Sequence, residues 1–185
     1  MKSLVTATLF VCATLLASCG NNEMRENFCS LLGSEVEIPC DEFEMVSYGA
    51  KAQQTNCNWT YVSYVDSAEC TPCHMSSVGL WTMVKDIFTE RESPVSVILI
   101  YSPKKHIVDD VRRNYRLSNC PLEVYLDTTA VFLKRNPQIP SDRNMHTMLL
   151  NSSRQVVLVG DPTQNSKVEE LLCAYLDSVL VKHKD

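Results

Sequence analysis

Five consecutive residues hold most of the chemistry available to this chain: Cys70-Thr71-Pro72-Cys73-His74. Two thiols separated by two residues can close into a disulfide or open to a dithiol, and the thiolate is the attacking form. At the start of a helix the first thiol meets unpartnered backbone N–H groups and the positive end of the dipole, which favour its thiolate. Cys70 is then the nucleophile, and Cys73 is the resolving thiol that frees a partner from the mixed disulfide. Pro72 suits such a first turn, with its φ preset and no N–H to leave unsatisfied. A protonated His74 favours the thiolate and Glu69 opposes it, so the sign of the net effect stays open at this level. The same run is the pattern for covalent haem attachment, with His74 as axial ligand. A further reading gathers Cys70, Cys73, His74, Met145 and His146 into a soft sulfur and imidazole set that suits Cu(I).

The elements that must position these residues are legible from residue 59 onward. Trp59 to Val65 is aromatic and β-branched and reads as a strand. Leu80, Trp81, Val84, Ile87 and Phe88 repeat at helical spacing, so the motif lies between a strand and an amphipathic helix. Val95 to Tyr101 is an apolar run between Pro94 and Pro103, as in a strand buried on both faces. Val108, Val111 and Tyr115 mark a second helix, Leu122 to Leu126 a third strand, and Asp127 caps a short helix that Pro137 ends. His146 to Leu150 and Gln155 to Val159 flank a polar turn and read as a hairpin. A last helix carries Val168, Leu171, Leu172, Tyr175, Leu176, Val179 and Leu180 on one face. Helical crossovers imply parallel strands and the hairpin an antiparallel pair, so the expectation is an α/β domain with a mixed central sheet and helices on both faces.

With the dithiol set between strand and helix, the chain resembles the thioredoxin superfamily over roughly residues 57–181, in particular its membrane-anchored TlpA-like members. The resemblance implies a thioredoxin-like fold, thiol-disulfide oxidoreductase activity through a redox-active disulfide at Cys70 and Cys73, and no cofactor. Two positions depart from the family's pattern. Where a cis-proline precedes the strand that faces the dithiol, this sequence has Met145, with Pro140 five residues earlier. Where the family has a buried acid six residues ahead of the first cysteine, this chain has Tyr64, and the nearest carboxylate is Asp66. Proton transfer to Cys73 is left to Asp66, Glu69, His74 or water.

The first residues bear on the compartment. Lys2 followed by a largely apolar run from Leu4 to Leu16 reads as a secretory signal, too short for a stable transmembrane span. It ends in Leu16-Ala17-Ser18-Cys19, which resembles the bacterial lipobox and implies a signal peptide over 1–18 and a lipidated Cys19. The expected order is then a tether over 19–35, an N-terminal extension with one or two strands over 36–56, and the thioredoxin-like domain over 57–185. Of nine cysteines, Cys12 leaves with the signal and Cys19 is blocked. Cys29, Cys40, Cys57, Cys70, Cys73, Cys120 and Cys173 remain. Cys40 and Cys57 could tie the extension to the domain, with Cys29 competing, while Cys120 and Cys173 read as small core residues.

With 17 basic against 22 acidic residues and a net charge of -5, the chain does not suit nucleic-acid binding by bulk positive charge. The expected function is that of a lipoprotein of the bacterial cell envelope, anchored to the membrane through Cys19 and exchanging disulfides with protein thiols. The alternatives are copper binding, non-catalytic partner binding and, behind these, a haem protein.

Overall fold

A computed structural model describes residues 22–46, 57–93, 95–117, 120 and 122–181. The expected signal peptide, its cleavage site and Cys19 lie outside the described residues.

One six-stranded sheet organises the chain, in the order β1-β4-β3-β2-β5-β6. Its strands are β1 (Glu44–Met45), β2 (Trp59–Val65), β3 (Val95–Tyr101), β4 (Glu123–Leu126), β5 (Thr147–Leu150) and β6 (Val156–Val159). β2, β3 and β4 are parallel, whereas β1, β5 and β6 join antiparallel. The mixed sheet and the hairpin of β5 and β6 therefore agree with the sequence. Strict alternation along the strands gives the sheet two apolar faces. On one, Tyr61, Val65, Val97, Leu99, Val124 and Leu149 pack with Trp81, Val84 and Phe88 of α3 (Leu80–Glu90), Val111 and Tyr115 of α4 (Val108–Leu117), and Leu172 and Leu176 of α6 (Ser166–Val181). On the other, Val62, Tyr64, Ile98, Ile100, Met148 and Leu150 pack with Leu31, Val36, Phe43, Phe132 and Met145. Each fully buried Leu, Ile or Phe side chain contributes roughly 1.5–3 kcal/mol by leaving water.

The short helix α5 (Val131–Arg135) is held by a buried carboxylate. Asp127 accepts from the amides of Val131 and Phe132, each at 2.9 Å, and Ala130 takes a left-handed conformation (φ 53°) to let the chain turn inward.

The N-terminal region departs from expectation. Residues 22–31 of the supposed tether form a helix, α1. Leu31 is fully buried, Gly33 and Val36 donate backbone hydrogen bonds to Val156 and Arg154, and Val46 donates to Val124. Leu31 is the residue of this helix that anchors it in the core, while Met24, Phe28 and Leu32, at helical spacing with it, remain exposed. Residues 36–46 likewise share the domain's core, supplying Val36, Phe43 and Val46. On α6, Leu171 stands 59% exposed instead of joining the buried face, because the inward stripe runs through Leu172 and Leu176. Cys40 is a half-buried thiol, and burial raises its pKa; the disulfide with Cys57 that the sequence allowed is not formed.

Candidate active site

The dithiol motif lies beyond the carboxyl end of β2, where the chain leaves the sheet and turns into α2 (Thr71–Ser76). Cys70 is the N-cap of that helix, Pro72 lies in its first turn, and the Cys70 carbonyl accepts from the amides of Cys73 (2.9 Å) and His74 (3.2 Å). The turn sets the two Cα atoms 5.3 Å apart, and their sulfurs are joined in a disulfide. Both cysteines and Pro72 are exposed, so either sulfur can be approached from solvent. The helix that follows is interrupted: α2 ends at Ser76 and α3 resumes at Leu80 after a turn at 77–79.

Two charged side chains bracket the pair. Glu69, one residue before Cys70, holds the Nε2 of His74, one residue after Cys73, at 3.1 Å. The Glu69 hydrogen bond raises the pKa of His74 and outweighs its partial burial, with Asp161 pulling the same way. Burial pushes the Glu69 carboxyl up, yet the hydrogen bonds from His74 and the Asp66 amide outweigh that and leave it below its ordinary value. The imidazole and the carboxylate therefore favour each other's charged forms over the helix start. The opposed effects of the two residues on Cys70 are partly cancelled against each other before they reach the sulfur.

Asp66 belongs to the same loop but is otherwise engaged. Its Oδ1 accepts from the Ala68 amide at 2.6 Å and its Oδ2 lies 3.6 Å from Nε of Arg143. Tyr64, where the family has an acid, is buried, stacked on Phe132 and edge-on to His146. Burial pushes its hydroxyl up to about 12, so it is a neutral phenol at physiological pH.

Met145 and His146 enter from the other side of the sheet's end. Ser63 pairs with Thr147 across β2 and β5, and the Tyr64 amide donates to the His146 carbonyl at 3.0 Å, which fixes His146 beside the Asp66–Glu69 loop. Met145 is 4% exposed and packs in the core. No cis peptide bond precedes β5 or occurs elsewhere among the described residues. Of the copper set, the two sulfurs are bonded to each other and His74 is paired with Glu69. His146 groups instead with Asp66 and Glu69.

A cavity of ≈ 680 Å³ opens beside the motif. Glu69 and His74 form its dithiol edge, Asp142 to Met145 and Gly160 to Asp161 its far wall, and Met24 and Phe28 of α1 one side. Of this wall the sequence pointed to Met145 alone. The Met24 and Phe28 spacing was the available signal for α1, whereas nothing local to residues 142–145 or 160–161 announces a shared cavity.

No protein-family model matches the chain, and no curated protein does. Solved structures match it. One is a protein described as thiol:disulfide interchange protein DsbE from Chlorobium tepidum, 14% identical with a TM-score of 0.51, over 78% of this chain and 97% of that one. Another is a thioredoxin-like protein from Bacteroides caccae, 17% identical with a TM-score of 0.45; 77% of this chain is covered, and it spans half the length of that protein. A third is a thioredoxin-like protein from Porphyromonas gingivalis, 13% identical with a TM-score of 0.48, over 80% of this chain and 95% of that one. At such identities the likeness concerns the fold. The chain has an α/β thioredoxin-like fold with a CxxC disulfide at the first turn of the helix after β2.

Proposed function

We propose that the protein is a thiol-disulfide oxidoreductase of the bacterial cell envelope, exchanging disulfides with protein thiols through Cys70 and Cys73. The observation that carries this reading is the solvent-exposed Cys70–Cys73 disulfide at the start of α2. In the reducing direction, the Cys70 thiolate attacks one sulfur of a partner's disulfide. A Cys70–partner bond forms, and the partner's other sulfur leaves as a thiolate that takes up a proton. Cys73, losing its own proton, then attacks the Cys70 sulfur; the internal disulfide closes and the second partner thiol is released. Two electrons pass from the dithiol to the partner, and the reverse sequence oxidises a partner dithiol.

Several features support this chemistry. The helix start favours the thiolate at Cys70. His74 lies one residue beyond Cys73 with its charged form favoured by Glu69, which suits it to exchange a proton with the resolving thiol. The adjoining cavity, with apolar Met24, Phe28 and Met145 and polar Asp142 and Asn144, suits an extended peptide segment. The envelope location and the anchor at Cys19 rest on the signal-like first residues; the similarity to a DsbE protein accords with them. Among the described residues no helix is long and apolar enough to cross a membrane.

The test is a redox titration of the full chain in glutathione buffers, read by intact mass after thiol alkylation. A single two-electron transition at Cys70 and Cys73 with a defined potential is expected, together with loss of disulfide exchange in the Cys70→Ser/Cys73→Ser variant. Exchange activity that survives in that variant refutes the proposal.

A further inference from the structure

The end of β2 and the start of β5 bring together a second group of polar side chains, and this one contains no sulfur. His146 is 2% exposed, and its Nε2 lies 3.0 Å from the Pro140 carbonyl. A carbonyl only accepts, so Nε2 is the donor to Pro140, which leaves Nδ1 as the ring nitrogen open to another partner. That Nδ1 is buried and has no hydrogen-bond partner. An orphaned buried acceptor costs about 1–3 kcal/mol, so its retention calls for a physical reason. Its neighbours supply one: a ligand atom from each of Asp66, Glu69 and His146 lies within 4.8 Å of the others.

We propose that Asp66, Glu69 and His146 form a binding site for one divalent transition-metal ion of the Zn²⁺ type. Two carboxylates balance the charge of such an ion, and one imidazole with two carboxylate oxygens is a donor set that zinc accepts, with a fourth position left open. The Nε2–H bond to the Pro140 carbonyl is the outer contact that a metal-binding histidine requires to fix its tautomer and ring plane. Around a tetrahedral ion with bonds of roughly 2.0–2.1 Å, ligand atoms stand about 3.3 Å apart, so from within 4.8 Å the carboxylates must close in by up to about 1.5 Å. Both are on the four-residue loop 66–69 and can turn inward once their present contacts give way, whereas the imidazole is fixed.

Binding displaces two existing contacts. Glu69 leaves the Nε2 of His74, now at 3.1 Å, and Arg143, 3.6 Å from Asp66 and half exposed, turns outward to solvent. The metal site and the dithiol therefore share Glu69, and an ion there releases His74 from its carboxylate.

The experiment titrates the full chain, with Cys70 and Cys73 held as the disulfide, with Zn²⁺ by calorimetry and with Co²⁺ by absorption. Expected are one ion per chain, affinity lowered on the order of tenfold or more by Asp66→Asn and by Glu69→Gln, and a cobalt spectrum without thiolate charge-transfer bands. Because His146 is buried, the two loop variants carry the test, and a zinc-induced shift of the His146 Nδ1 nitrogen resonance reports on the wild-type chain. Absence of saturable binding, affinity unchanged in both variants, or a thiolate band in the cobalt spectrum each overturns the proposal.

Discussion

Replacing Gly160 by alanine tests how tightly the far wall of the cavity is built. Gly160 follows β6 with φ +125°, and a Cβ there would stand 2.8 Å from Cγ2 and 3.2 Å from Cγ1 of Val168. The backbone cannot slide away, since the Gly160 amide donates to the Thr147 carbonyl at 2.8 Å and its carbonyl accepts from the Tyr61 hydroxyl at 3.2 Å. Val168 is β-branched on a helix and has essentially one side-chain rotamer to offer. Backbone strain of about 1–3 kcal/mol and overpacking of about 1–3 kcal/mol together predict a loss of roughly 2–6 kcal/mol. In a chain of this size each kcal/mol lowers the melting temperature by about 2–4 °C. Gly33 provides the control: its φ is +79°, but nothing lies within 4 Å of an added Cβ, so Gly33→Ala costs only the strain, about 1–2 kcal/mol. Urea denaturation of both variants, with Gly160→Ala repeated in a Val168→Ala background, separates strain from collision. If Gly160→Ala is no more destabilising than Gly33→Ala, or Val168→Ala brings no recovery, the steric reasoning fails.

Further expectations concern the site and its supports. Cys73→Ser should accumulate a mixed disulfide between Cys70 and its partner, resolved by non-reducing electrophoresis, while Cys70→Ser accumulates none; equal trapping by both would remove the distinction of roles. The ion pair of Glu69 and His74 should stabilise the fold by about 1 kcal/mol, discounted for its partial exposure. Its sign follows from the two shifts. The raised His74 pKa gives stability present in full below 6.5 and lost as pH rises through the folded value, and the lowered Glu69 pKa gives stability present above 4.5 and lost as pH falls through its own. The stability difference between wild type and His74→Ala should therefore peak between pH 4.5 and 6.5, and a flat difference across that range and beyond would refute it. Asp127→Ala leaves two backbone amides at the start of α5 without their acceptor and should cost about 2–4 kcal/mol by urea denaturation; a loss below 1 kcal/mol would show that water replaces the carboxylate.

The parts of the fold that were legible in the sequence are those in which one local pattern decides the element. Val95–Tyr101 is apolar but for Ser96 and flanked by prolines, and it is the strand between β2 and β4. Asp127 was recognised as a cap, although it reaches its amides from three residues before the N-cap at Ala130. Residues 22–31 do not announce a helix because their stripe of Met24, Phe28 and Leu31 is sparse among polar residues, and a window ending at Asn27 contains only one of its members. The site divides in the same way. Cys70, Pro72 and Cys73 carry their geometry in their spacing, and Glu69 and His74 could be identified as opposed influences. The direct contact of those two depends on how the turn before α2 folds back, while the meeting of His146 with Asp66 and Glu69 depends on the register of β2 against β5, in which Ser63 meets Thr147, 84 residues on. No short-range pattern encodes a pairing over that distance.

Helix α1 would give the proposed lipid anchor a geometric meaning. Cys19 precedes the helix by three residues, a span of at most about 11 Å even when fully extended. A lipid on Cys19 would thus hold Met24 and Phe28, and with them one side of the cavity, close to the bilayer surface. The dithiol would then meet its partners in a thin layer above the membrane rather than throughout the surrounding volume. Its exchange rate would be set by how often a partner's disulfide enters that layer, which favours partners that are themselves held at the membrane over those that diffuse freely.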